Sequence, residues 1–460
     1  MVDRLLRPEA AAPSGRLHLS ELISALSHAL DITEGQPEGH CIRSCWIGMH
    51  IGAAIGLNEQ QLWELYYAIL LKDLGCSSNA SRICELYLTD DRQFKQDFKL
   101  VGASLPQMLG FVFSRTGTHA GSWPQRVKSI LNVLRHGKEM ADELINTRCH
   151  RGADIARQLR FNENVARGIQ SLDEHWDGSG RPLGLQGEAI PLLARIALLS
   201  QVLDVFHITH GRQAALAEVA TRAGGWFDPA LVRVVHSLRD NAAFWQQLEA
   251  DDIDTAVLAL EPAHCMVPLD EDYLDEIAEG FGQVVDSKSP FTAGHSQRVG
   301  HYADRIAAEL GMDAARRRWL KRGALLHDVG KLGVSNTILD KPGRLDADEW
   351  TAVQRHAGYT EDILRRIAQF AELAQVAGAH HEKLDGSGYP RGLQAAQITL
   401  ETRIITTADI FDAINAERPY HPATPVDKTL DIMRAHLGSA IDPHCFAALE
   451  RVLHQEGEPG

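Results

Sequence analysis

At 460 residues the chain is too long for one ordinary core and calls for two or three domains. Its 44% hydrophobic and 23% charged residues are those of a globular protein. A net charge of −15 excludes a nucleic-acid polymer as partner, since a backbone binder needs a basic footprint.

The N-terminus, MVDRLLRPEAAAPSG, has no continuous apolar signal core, and no apolar run approaches the roughly 18 residues that span a bilayer. Seven cysteines, none in a Cys-x-x-Cys pair, suit a reducing compartment. A cytoplasmic protein with no membrane partner is expected. Most segments then read as helices. Ser20 is placed to cap a helix with Leu22, Ile23, Leu26 and Leu30 on one face. The short period-2 stretch VLALE at 257–261 is the best strand candidate. Asp270 is placed to cap a helix bearing Leu274, Ile277, Phe281, Val284 and Val285, and Trp319–His327 reads as part of a buried helix. The economical expectation is an all-α fold.

The chain also repeats itself. At an offset of 255 residues, Asp31…His40 falls on Asp286…His295, and LLKDLG (70–75) on LLHDVG (325–330). Further matches follow with gaps: DGSG at 177–180 on DGSG at 385–388, Ala194-Arg195-Ile196 on Thr402-Arg403-Ile404, and WFDP (226–229) on AIDP (440–443). Shared order points to an internal duplication. The expected organisation is a tail (1–17), a first copy (18–247), an irregular acidic linker (248–269) and a second copy (270–460).

The second copy carries the chemistry. His295, His327, Asp328, His356, His380, His381 and Asp409 are imidazoles and carboxylates drawn from several segments. Adjacent helical residues diverge by about 100°, so the pair His327-Asp328 can hold one ion by its imidazole while the carboxylate bridges to another. A bridging carboxylate is what a two-metal centre needs, its ions roughly 3.5–4 Å apart. Without thiolates the set suits Fe, Mn or similar divalent ions. A lone histidine is usually a packed or solvated residue, and DGSG alone is a good turn sequence. The combination carries the signal.

HDVGK (327–331), HHEKLDGSGYP (380–390) and TADIFDAINAERPY (407–420) resemble the HD-GYP family of metal-dependent phosphodiesterases, over about 280–450. The resemblance implies two tandem HD-type helical bundles. It also implies hydrolysis of cyclic di-GMP to linear pGpG or GMP by a hydroxide bridging two divalent ions. The alternatives are another cyclic nucleotide such as cyclic GMP-AMP, or a catalytically weak cyclic di-GMP receptor. By the same resemblance His295, His327, Asp328 and Asp409 would hold one ion, and Asp328, His356, His380 and His381 the other. Lys331 and Arg418 would contact the substrate phosphate. Asp412, three residues after Asp409 and so on the same helix face, would bind substrate, orient a ligand or the nucleophile, or be a plain helix-surface carboxylate. The loop Gly388-Tyr389-Pro390 would shape the turn or dock a partner such as a diguanylate cyclase domain, the first being favoured. Phe291 stands where some members carry a third-metal Glu, and His421 where a basic residue is common. A homo-oligomer is compatible with the sequence.

The first copy lacks the set. Lys72 replaces His327, Cys76 replaces Lys331, Leu172-Asp173 replace His380-His381, Gln201 replaces Asp409, and Arg181 replaces Tyr389. His40, Asp73 and His150 are expected opposite His295, Asp328 and His356. An ammonium at Lys72 repels a cation, so this copy is expected to hold no metal. Packing against the active copy, or binding an anion through Lys72, Arg181 or Arg195, are its candidate roles.

Overall fold

A computed structural model describes residues 17–100, 105–119, 122–262, 267, 269–416 and 423–457. Arg418 and His421 lie outside the described residues. The chain divides into two compact units, Met1–Asp270 and Glu271–Gly460. Both are helical; among the described residues there are isolated β-bridges but no strand. The N-terminal unit is built on α1 (Leu19–Thr33), α2 (His40–Ala54), α3 (Glu59–Leu70), α4 (Ala80–Tyr87), α5 (Asp91–Lys99), the long α6 (Trp123–Gln158) and α7 (Leu192–His210). The C-terminal unit uses α8 (Glu271–Asp286), α9 (His295–Glu309), α10 (Ala314–Leu326), α11 (Ala347–Arg365), α12 (Ala371–Gly378), α13 (Leu400–Asn415) and α14 (Pro443–Gly457).

Local sequence sets the starts of these helices. Asp313, Asp346 and Thr399 cap α10, α11 and α13 by accepting backbone N–H groups, and Asp346 and Glu349 complete a capping box. In the C-terminal unit Val299 and Ile306 of α9, Leu320 of α10, Ile405 and Phe411 of α13, and Leu449 of α14 close one core. Each such side chain contributes about 1.5–3 kcal/mol on burial. That core fixes the angles at which the polar ends of α9, α10 and α13 converge.

Three expectations change. His18 with Glu21, rather than Ser20, caps α1. The VLALE segment is not a strand: Ile253–Leu258 is a helix whose Ile253, Ala256 and Val257 are buried at i, i+3, i+4 spacing. This helix lies in the stretch 248–269 read as an irregular linker, and it belongs to the N-terminal unit. Third, one helix, α7, is long and apolar enough by composition to cross a membrane, with 78% of its apolar window buried inside the protein. It is the central core helix of its unit.

The duplication is visible as repeated bonds. Asp31 accepts the Cys41 N–H as Asp286 accepts that of Ser296. Arg195 pairs with Asp228, and Arg403 with Asp442, each at 2.8 Å. Glu174 accepts from the backbone of Leu183 and Leu185, as Glu382 does from Arg391 and Leu393. In both DGSG turns the Asp carboxylate accepts the Ser N–H at 2.9 Å. These turns are scaffolding common to both copies.

Candidate metal centre

His295 is the first residue of α9, reached through Gly294 at φ +70°, a left-handed conformation that suits glycine. His327 ends α10, and Asp328 opens the 3₁₀ turn Val329–Gly333. Gly330 of that turn lies so close to α11 that a Cβ would sit 2.0 Å from the His356 carbonyl oxygen. This approach brings His356 to Asp328. His380 and His381 follow α12, and Asp409 faces inward from α13.

Asp328 presents its two oxygens to two different groups of imidazoles. Its Oδ2 lies 3.3 Å from His327 Nε2 and 3.4 Å from His295 Nε2. Its Oδ1 lies 3.4 Å from His356 Nε2 and 3.7 Å from His380 Nε2. Asp409 Oδ1 joins the first side at 3.4 Å from His295 Nε2 and 3.8 Å from His327 Nε2. Two groups of ligand atoms, each within 4.8 Å of one another, result: His295, His327, Asp409 and His356, His380, His381. Metal bonds of about 2.0–2.2 Å place neighbouring ligand atoms roughly 3–3.6 Å apart, close to these separations. His295 Nε2, His327 Nε2 and Asp328 Oδ1 are buried without a hydrogen-bond partner, a costly state unless a cation takes their lone pairs. The residues therefore fit divalent metal ions.

The remaining ring nitrogens are fixed from behind. His327 Nδ1 donates to the Ala324 carbonyl at 2.7 Å, His356 Nδ1 to Val353 and His380 Nδ1 to Ala377, each at 2.6 Å. Each points Nε2 into the site. Electrostatics separates the two sides. Burial lowers His356 to about 4 and His381 to about 3, and it drives His380 well down with help from His381 and His327. These imidazoles are neutral and ready to ligate. Burial acts the same way on His327, but Asp328 and Asp409 outweigh it and lift the imidazole to about 9. Burial would raise Asp328, yet His327 and Lys331 hold it well below the usual carboxylate range.

Lys331 extends its ammonium against Asp328 Oδ2 and remains partly exposed. Asp412 requires a correction as a substrate contact. It is only 2% exposed, takes His295 Nδ1 at 2.7 Å, and accepts Arg298 Nε at 2.5 Å. It lies buried behind the His295 ring, on the nitrogen that faces away from Asp328. Arg298 is the residue that sequence reasoning missed; its signal was Arg43, three residues after His40 in the first copy, as Arg298 follows His295. Replacing Asp412 by Ala is expected to weaken metal affinity about 10–100-fold, measured by competition with a chelator; unchanged affinity would exclude the orienting role.

Tyr389 lies with its ring 4.9 Å from that of His381. A Cβ on Gly388 would meet Lys383 N at 2.3 Å. Gly388 and Tyr389 thus pack closely against the segment that carries His380 and His381. The basic run before His327 is consumed locally: Arg316 pairs with Glu401, Arg317 with Asp304, Arg318 with Asp275, Lys321 with Glu279 and Arg322 with Asp275.

In the first copy the clamp behind the site survives. Asp204 accepts from His40 Nδ1 at 2.7 Å and from Arg43 Nε at 2.6 Å. The ligands do not. Lys72 is buried against Asp73 in an ion pair. His150 does not stand opposite His356: it is exposed and bonded to the Asn146 carbonyl. Arg148 holds that place, because a Cβ on Gly75 would meet its carbonyl oxygen at 1.9 Å, as Gly330 meets that of His356. The DGSG offset, Asp177 to Asp385, equally carries Arg148 to His356; residue type had drawn attention to the wrong position.

Comparison with known proteins now adds to this geometry. The HD domain family model matches residues 119–231 and 281–445, one segment in each copy. The 3'3'-cGAMP-specific phosphodiesterase 3 of Vibrio cholerae is 58% identical over 95% of this chain and 95% of its own. A crystal structure of a cyclic GMP-AMP-specific phosphodiesterase of V. cholerae is similar at 52% identity and a TM-score of 0.66, covering 96% of this chain and 99% of that one. A cyclic di-GMP phosphodiesterase of Thermotoga maritima is 35% identical over 40% of this chain and 51% of its own.

Proposed function

This chain belongs to the HD domain family, in its HD-GYP branch, and from that premise we propose that it is a metal-dependent phosphodiesterase specific for 3'3'-cGAMP. Cyclic dinucleotide hydrolysis is the activity its relatives share. The choice of nucleotide rests on coverage: the relative matched over 95% of both chains is named for 3'3'-cGAMP, whereas the cyclic di-GMP enzyme is matched over 40% of this chain. The substrate first expected from the motifs, cyclic di-GMP, therefore yields to the alternative.

The observation that carries the chemistry is Asp328, with one oxygen toward His295 and His327 and the other toward His356 and His380. Two divalent ions, Fe or Mn by donor set, would be held by His295, His327, Asp409 and Asp328 on one side, and by His356, His380, His381 and Asp328 on the other. Bound there, they supply Lewis acidity to water and to the phosphodiester. The protein does the positioning. Asp412 and Arg298 hold His295, and the carbonyls behind His327, His356 and His380 fix their rings. Lys331 reaches from Asp328 toward a nonbridging phosphate oxygen and offsets charge that develops there. Arg418 is assigned to the same phosphate by its motif position.

Initial rates on both nucleotides test this reading with purified protein in Mn²⁺ or Fe²⁺. We expect kcat/KM for 3'3'-cGAMP to exceed that for cyclic di-GMP by about tenfold or more; equal or reversed values reject the specificity. About two metal ions per chain are expected by elemental analysis. About four would overturn the reading of a metal-free first copy.

A further inference from the structure

In the N-terminal unit a cavity of about 410 Å³ lies at the place of the lost metal site, within the roughly 300–1,000 Å³ typical of small-ligand pockets. Its walls come from α4, α5, α6 and α7, and they are mainly apolar. Ile83, Tyr87, Phe94, Phe98, Leu144 and Val202 represent them. One end is charged. There Glu34 lies 3.4 Å from Lys95 Nζ and 3.2 Å from Lys99 Nζ, and Arg148 Nε donates to Asp173 at 2.9 Å.

Three cations, Lys95, Lys99 and Arg148, thus face two carboxylates, Arg181 of the lining pairs with Asp142, and Lys72 and Asp73 neutralise each other behind them. Lys95 is saturated by the Thr33 and Cys76 carbonyls, but Lys99 Nζ is buried and makes no hydrogen bond. Glu34, Asp73 and Cys76 bring ligand atoms within 4.8 Å of one another. The four cations around them oppose a metal ion, since fixed positive charge in a low-dielectric site repels another. A surplus positive charge beside apolar walls favours an anion instead. Where the sister copy gathers imidazoles for metals, this copy places Lys72 and Arg148, permanent cations that attract an anion and activate no water.

We propose that this cavity is a non-hydrolytic binding site for a small amphiphilic monoanion, a single carboxylate head on an apolar body. The head would meet Lys99 and Arg148, and the body would lie against Phe94, Phe98 and Val202.

Calorimetric titration of the full chain tests this with decanoate, decanol and GMP as probes. Decanoate is expected to bind at about one per chain and decanol at least about tenfold more weakly, since a charge-assisted hydrogen bond is lost. Lys99→Gln should weaken decanoate by a similar factor. Ile145→Trp, which fills the cavity from its rim, should abolish binding in a protein whose circular dichroism is unchanged. Four results would each overturn the proposal: no saturable decanoate binding, decanol binding as tightly as decanoate, binding untouched by both substitutions, or GMP binding that decanoate cannot match.

Discussion

Asp328→Ala is expected to lower cyclic dinucleotide hydrolysis by about 10³-fold or more, because among the described residues Asp328 is the carboxylate whose oxygens face both imidazole groups. Its two oxygens lie 3.3–3.7 Å from four ligand nitrogens. Removing them leaves three imidazoles on one side with no carboxylate, and on the other only Asp409 to offset a dication. Loss of several kcal/mol of transition-state charge stabilisation translates into that factor. Metal content should fall with activity, which separates loss of the centre from loss of substrate binding. Retained metal and at least a tenth of the rate would contradict the bridging role.

The same substitution in the first copy should act differently. Asp73→Ala strands the buried ammonium of Lys72, and breaking a buried pair costs about 3–5 kcal/mol of stability. It should lower the melting temperature while leaving metal content per folded chain unchanged.

Gly330→Ala is expected to cost the C-terminal unit about 1–3 kcal/mol and to cut the rate by about 10²-fold. The added methyl would lie 2.0 Å from the His356 carbonyl oxygen and 2.7 Å from Thr360 N, and both are backbone atoms that no rotamer change can move. The turn Val329–Gly333 and α11 must separate, an overpacking strain of that order. Separation carries His356 away from Asp328, and a displacement near 1 Å at a reacting centre costs about 10²-fold. Thermal melts and rates measured together check this. Gly75→Ala makes the matching contact with Arg148 O at 1.9 Å; it should destabilise the N-terminal unit with no loss of metal.

Much of this was legible in the sequence because metal chemistry depends on residue types and adjacency. The pairs His327-Asp328 and His380-His381 name themselves, and the lysine at 72 in place of the histidine is legible without coordinates. The repeated order of motifs likewise exposed the duplication. The helices were legible from apolar spacing, except where a short run such as 257–261 satisfies two periods at once.

Other features depended on how helices turn toward one another. His150 drew attention by its type, yet two positions along a helix rotate a side chain by about 200°. The contact of Gly75 with α6 decides for Arg148, the position to which the DGSG offset also leads. Asp412 shares a helix face with Asp409, and from sequence it was equally a substrate contact; packing of α9 against α13 buries it behind His295. The cavity beside Arg148 is formed by helices remote in sequence, so no local pattern announces it. Sequence alone determined which donors this protein owns and which copy lost them, because ligand chemistry is a property of side-chain type. Tertiary structure alone decided which of those side chains meet, since direction and burial come from backbone approach across distant helices.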